Sequence, residues 1–130
     1  MKFDPATPPQ GAVRDWLDAR AATGGTAVVF PETGDSLSWR DLRAVAARTA
    51  ADLTAQGIAK GESVAIVHPN SKDGVIALYS ALYGGFRATM INLAAGPGSI
   101  GYALDHSEAR VAVVAKAQRD LFDSVRPDRL

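Results

Sequence analysis

Few side chains in this sequence could do chemistry, and their spacing matters more than their number. There is no cysteine, which excludes disulfides, thiolate metal sites and a catalytic thiol. Two histidines stand far apart, His68 and His106. His68 follows an apolar run at what reads as the carboxyl end of a strand, the edge where open α/β sheets bind ligands. No acidic partner lies near it in sequence to tune its pKa, so it reads as a polar group closing the strand. His106 lies near a helix end, where a cation suits the helix dipole. Two isolated histidines do not make a metal site. Asp15, Asp18, Asp35, Asp41, Asp52 and Asp73 fall at turns, caps or exposed helical positions, and no spacing brings two carboxylates into one cleft. Ser36, Ser38, Ser71 and Ser99 read as turn or cap residues, none within G-x-S-x-G. Trp16, Trp39, Tyr79, Tyr83 and Tyr102 read as packing residues rather than a base-stacking platform.

The stretch VAIVHPNSKDG, residues 64–74, deserves the closest reading. A strand running into a helix start is where many α/β proteins hold a phosphate, through backbone amides freed by glycines. Here the junction is His68-Pro69-Asn70-Ser71. Pro69 carries no amide hydrogen. Neither G-x-G-x-x-G nor G-x-x-x-x-G-K-[ST] occurs anywhere. The junction therefore reads as a helix cap, with Asn70 or Ser71 satisfying the first amides of its own helix.

The elements that position these residues follow from periodicity. Val13, Trp16, Leu17 and Ala21 predict a short helix over 12–22, stopped at Gly24 or Gly25. TAVVF (26–30) and SLSW (36–39) flank PETGD and predict a hairpin. Ser38 with Asp41 matches a capping box, with Leu37 and Leu42 as staple. The helix that follows turns Leu42, Val45, Ala46, Thr49, Ala50 and Leu53 to one face. Gly57 stops it, and Ile58 folds back on Leu53. VAIV (64–67) is continuously apolar and β-branched, which suits a parallel strand covered on both faces. Val75, Ile76, Leu78, Tyr79, Leu82 and Phe86 predict a well-buried helix, apolar around more than one face, that Gly84-Gly85 ends. RATMI (87–91) is the next strand, NLAAGPGS (92–99) a loop, and Ser99 the expected cap of a helix bearing Ile100, Ala103 and Leu104. VAVVA (111–115) is a further strand and 117–125 a further helix. The predicted fold is α/β: a β-α-β-α-β-α parallel sheet from residue 64 with helices on both faces, preceded by a helix and a hairpin.

The chain has 130 residues, 47% hydrophobic and 22% charged, ordinary values for one globular domain. Fourteen basic side chains balance fourteen acidic ones without a run of like charge, so nothing marks a nucleic-acid or anionic-membrane footprint. Residues 1–11 read as a loose lead-in without the apolar segment of a signal peptide. No window approaches a membrane span. A cytoplasmic protein is expected.

Four segments in register resemble the N-terminal region of the AMP-forming acyl-CoA synthetases, the adenylate-forming superfamily that includes luciferases and peptide-synthetase adenylation domains. They are SLSWRDL, GIAKGESVAIVHPNS, ALYGGFRATMIN and YALDHSEARVAVV. The resemblance runs from about residue 12 to the end. It departs at Met90-Ile91-Asn92-Leu93, where the family usually has Pro-Ile-Asn-Pro, and at Gly85-Phe86, where it has Gly-Ala. It implies a parent reaction joining a carboxylic acid to ATP as an acyl-adenylate, then to CoA, with Mg2+ assisting. The family's phosphate-gripping loop and its catalytic lysine have no matching positions here. No catalytic, cofactor-binding or metal residue is therefore carried over, and the chain by itself is expected to bind none of ATP, Mg2+ or CoA. The expectation is an N-terminal subdomain, part of a larger domain and inactive alone, offering at most one wall of the acyl site around residues 89–93. Its partners would be the remainder of the ligase and a second copy paired through an uncovered strand. The alternative is a stand-alone, non-catalytic binding module derived from the same fold. A dinucleotide-binding domain is disfavoured by the missing glycines.

Overall fold

The computed structural model describes Ala6 and residues 10–130; the rest of the expected lead-in lies outside the described residues. The elements are α1 (Val13–Thr23), β1 (Thr26–Phe30), β2 (Asp35–Ser38), α2 (Trp39–Ala55), β3 (Ser63–Val67), α3 (Lys72–Tyr83), β4 (Arg87–Met90), α4 (Pro97–His106), β5 (Val111–Val114) and α5 (Arg119–Val125). Short 3-10 turns precede α4 and α5.

β3 is the centre. It pairs in parallel with β4 on one side and β5 on the other. All five of its residues are buried. Alternation along the strand sends Val64 and Ile66 into a core shared with α2 and α3. Ala65 and Val67 enter a second core with Ile100 and Leu104 of α4 and Phe122 of α5. The expected covering of both sheet faces is thus observed. β1 and β2 form a separate antiparallel hairpin whose turn is closed by the Gly34 amide on the Phe30 carbonyl, 2.9 Å.

The best-specified helix in the sequence is built as its signals require. The Asp41 amide donates to Ser38 Oγ at 3.0 Å. Leu42, Ala46, Ala50 and Leu53 form the buried face. Gly57 adopts φ +93°, and the Ile58 amide returns to the Leu53 carbonyl at 3.2 Å with both side chains buried.

α3 differs from expectation. Its fully buried positions are small ones, Gly74, Ala77, Ser80 and Ala81, together with Tyr83, while Val75, Ile76, Leu78, Tyr79 and Leu82 are half-buried flanks. Small side chains let α2 and α3 lie close, Ala46 and Ala50 sharing a core with Ala77 and Ala81. α4 begins three residues earlier than expected. Gly96 occupies the cap position and Pro97 opens the helix, so Ser99 lies inside the first turn. His106 is the last residue of α4, but the cation on that helix end is Arg129, whose guanidinium donates to the carbonyls of Leu104 (2.9 Å) and Asp105 (2.7 Å). His106 stacks on Tyr102 instead, ring centroids 5.4 Å apart. Two of the five expected packing aromatics are exposed, Tyr102 at 69% and Trp16 at 42%.

Because Ile66 is fully buried at the meeting of β3 with two helices, Ile66→Ala should cost about 3 kcal/mol in a urea titration. Ser38→Ala should cost about 1 kcal/mol. Val29→Ala, at a largely exposed position, should stay within about 0.5 kcal/mol.

Candidate functional site

The chain leaves β3 toward α3 on one face of the sheet, but leaves β4 and β5 toward α4 and α5 on the other. Adjacent parallel strands with diverging loops open a crevice at their carboxyl ends, the usual ligand position in such sheets. A cleft of about 360 Å³ lies there, lined by His68, Pro69 and Asn70 after β3 and by Met90 to Ala94 after β4. A second, of about 490 Å³, runs from the hairpin turn (Val29 to Thr33, Asp35) to the start of α3 (Asn70 to Asp73). A third, about 280 Å³ and mainly apolar, joins them over Phe30, Val75, Leu78 and Met90.

The walls are set by local chemistry. The Ile91 amide donates to the Ile66 carbonyl at 3.0 Å and buries the Ile91 side chain. Asn92 Oδ1 accepts the Ala94 amide at 3.0 Å and starts a tight turn. Met90, between them and the cleft, is 52% exposed. Of the expected wall residues 89–93, positions 90–93 line this cleft together with Ala94, while Thr89 instead shares a hydrogen bond with Ser63 Oγ at 2.7 Å.

The start of α3 is not a phosphate cradle. Ser71 is the cap, its Oγ accepting the Gly74 amide at 3.1 Å, while Asn70 lines the cleft. The Pro69 carbonyl occupies the approach to this turn, 2.6 Å from where a Cβ on Gly74 would stand. Gly74 is thus needed for close packing of the helix on its own lead-in, not for binding an anion. Among the described residues, no three His, Asp or Glu side chains gather into a metal-ligand group.

A cluster that the sequence did not reveal lies away from the cleft. Asp18 Oδ1 accepts Arg43 Nε at 2.9 Å and the Tyr83 hydroxyl at 2.8 Å. Arg14 donates to the Tyr83 carbonyl at 3.1 Å, and its guanidinium lies over the Tyr83 ring, 4.8 Å from the centroid. The Arg43 and Tyr83 hydrogen bonds hold the Asp18 carboxyl below its ordinary range, and burial, then the bond to Asp18, pushes the Tyr83 phenol up. The cluster joins α1, α2 and α3, so its work is to hold α1, whose only buried side chain is Leu17. Glu62 makes a similar brace, lowered first by the Ala59 amide and then by Arg110.

The sign of the Asp18 effect follows from the lowered pKa. Its contribution is present above the ordinary carboxylate pKa of 3.8 and is lost as pH falls through the folded value. Asp18→Asn should therefore be less stable than the parent at neutral pH, with the gap closing on acidification below about pH 4 in urea titrations. A gap constant down to about pH 2 would refute the assignment.

The family described as AMP-binding enzyme matches residues 16–129. The long-chain-fatty-acid–CoA ligase FadD13 of Mycobacterium tuberculosis is 32% identical over 100 residues, covering 77% of this chain and 20% of its own length. The crystal structure of the N-terminal domain of FACL13 from the same organism superposes with a TM-score of 0.79 at 29% identity, over 88% of this chain and 30% of that one. A long-chain-fatty-acid–CoA ligase of Archaeoglobus fulgidus gives 0.79 at 28% identity, over 90% and 25%. The chain thus spans about a fifth of the length of the curated relative FadD13.

Proposed function

Since the chain belongs to the AMP-binding enzyme family, we propose that it is the N-terminal framework of an AMP-forming acid–CoA ligase and supplies one wall of the acyl site. The carrying observation is the crevice at the carboxyl ends of β3 and β4, walled by Met90 to Ala94, in a fold that superposes on fatty-acid–CoA ligases. In the reaction of the whole ligase, a carboxylate oxygen attacks the α-phosphorus of ATP and pyrophosphate leaves. The CoA sulfur then attacks the acyl carbon, AMP leaves, and the thiol proton passes to solvent. None of the described residues is given a part in holding the phosphates or Mg2+, because the α3 start is filled by its own cap and no carboxylate group gathers. The chain alone is therefore inactive, and its working partners are the remainder of a ligase and a carboxylic acid. A reaction that consumes ATP and CoA implies the cytoplasm.

The nature of the wall argues for an apolar acid. Met90 is exposed beside Phe30, Val75 and Leu78, and a thioether on three rotatable bonds adapts to an alkyl or aryl group. Asn92 spends its side-chain oxygen on the Ala94 amide, which leaves the turn shaped rather than charged.

A chimera tests this. Residues 13–125 replace the matching stretch of FadD13, and acid-dependent pyrophosphate release is measured. The chimera should turn over a long-chain acid, and Met90→Trp within it should raise KM for that acid about tenfold while leaving KM for ATP unchanged. Acid-dependent pyrophosphate release by the purified 130-residue chain itself, or an equal effect of Met90→Trp on ATP, would overturn the proposal.

A further inference from the structure

The crevice at the carboxyl ends of β3 and β4 has two unlike walls. On the β4 side stand Met90 and Leu93, the two residues found where the family usually has proline, with Ala94 beyond. On the β3 side stand His68, Pro69 and Asn70. Several polar groups around the crevice are used by the chain itself. Asn92 Oδ1 accepts the Ala94 amide at 3.0 Å, and the Pro69 carbonyl accepts the Ser71 hydroxyl at 3.2 Å.

His68 and Asn70 differ from these. Among the described residues, neither side chain has a hydrogen-bond, ionic or ring partner. His68 therefore does not close the strand end by a bond of its own, as its position in the sequence suggests. It is half-buried and follows the fully buried Val67. Its Cβ lies against the start of α3, 3.3 Å from where a Cβ on Gly74 would stand. The root of the side chain is thus fixed, and the imidazole borders the crevice.

Two hydrogen-bonding side chains across from an apolar wall set a requirement on the occupant. A plain alkyl chain seated there would strip water from the imidazole and the carboxamide and return no hydrogen bond. A hydroxyl on the occupant would replace that water, since it donates once, accepts twice and can serve both groups. A second carboxylate would find no lysine or arginine in the lining. We propose that the acid taken by the whole ligase carries a hydroxyl on an otherwise apolar body, and that His68 and Asn70 are the specificity residues that read it. The inference rests on the reading of this crevice as part of the acyl site and adds the substituent to it.

Paired acids in the FadD13 chimera test this. Straight-chain acids with a hydroxyl at successive carbons, and phenylpropanoic acids with a ring hydroxyl, are each compared with the deoxy form by kcat/KM for pyrophosphate release. At least one hydroxylated acid should be preferred roughly tenfold, a modest ratio because Asn70 is exposed rather than sealed. The series also tells an alkyl hydroxyl from a phenolic one. His68→Phe should remove most of the preference through KM, and His68→Gln, which keeps a donor and an acceptor, should retain part of it. A chimera that turns over deoxy acids and favours no hydroxylated partner overturns the inference and leaves the ligase reading standing. So does a preference that His68→Phe leaves intact. A folded chimera that turns over no acid overturns both. Should the chimera fail to fold, the 130-residue chain is titrated with the same pairs by NMR. The Asn70 side-chain amide signals should then move with the hydroxylated acid and not with its partner; equal movement, or none, overturns the inference.

Discussion

The two-sided burial of β3 is the constraint from which the rest follows. A strand with no exposed residue needs a helix layer on each face and a hydrogen-bonded strand on each edge. α2 and α3 meet the first demand on one side, α4 and α5 on the other. Since the β3→β4 and β4→β5 crossovers run in opposite directions across the sheet, connections of one hand put α3 and α4 on opposite faces, the loops after β3 and β4 part company, and the crevice is a geometric by-product of covering the core. The site is thus not added to the fold. Its position is dictated by the same five residues that hold the fold together.

That origin also limits what the site can do. The α3 amides at the crevice are the strongest electropositive feature a sheet of this kind offers to an anion. Here Ser71 takes one, Pro69 supplies none, and the Pro69 carbonyl stands over the turn. A helix end that satisfies itself is cheaper to bury and weaker as a binding group, because a phosphate would have to displace a bond already made. What the crevice offers besides is apolar surface from Met90, Leu93 and Phe30 next to the polar side chains of His68 and Asn70. This is the chemistry of a wall, consistent with the place proposed for it in a ligase.

What the sequence disclosed, and what it hid, divides by range. The Ser38 cap, the Gly57 stop and the strand VAIV are legible because a few neighbouring residues decide them. The cleft lining at Met90–Ala94 overlaps the expected stretch 89–93 because it is where a strand ends. The Asp18 cluster was not: Asp18 meets Arg43 and Tyr83 across sequence separations of 25 and 65, and a single aspartate on a helix reads locally as solvated. The start of α4 was misplaced because Gly96-Pro97 competes with Ser99 as a start signal, and proline, with its φ preset and no amide to satisfy, wins the first position. Tyr102 and Trp16 were assigned to packing by residue type, yet Tyr102 finds its partner in His106 one turn on, and Trp16 gives its indole N–H to the Gln10 carbonyl at 2.8 Å.

The distribution of glycine and alanine connects these observations. α2 and α3 bury Ala46, Ala50, Gly74, Ala77 and Ala81, so the two helices approach through backbone and methyl groups rather than interdigitating large side chains. Close approach leaves the larger residues of α3, Val75 and Leu78, at the helix flank, where they line the apolar passage between the two larger clefts. The same economy of volume that packs the core therefore places apolar surface beside Met90, the feature on which the proposal of an apolar acid rests.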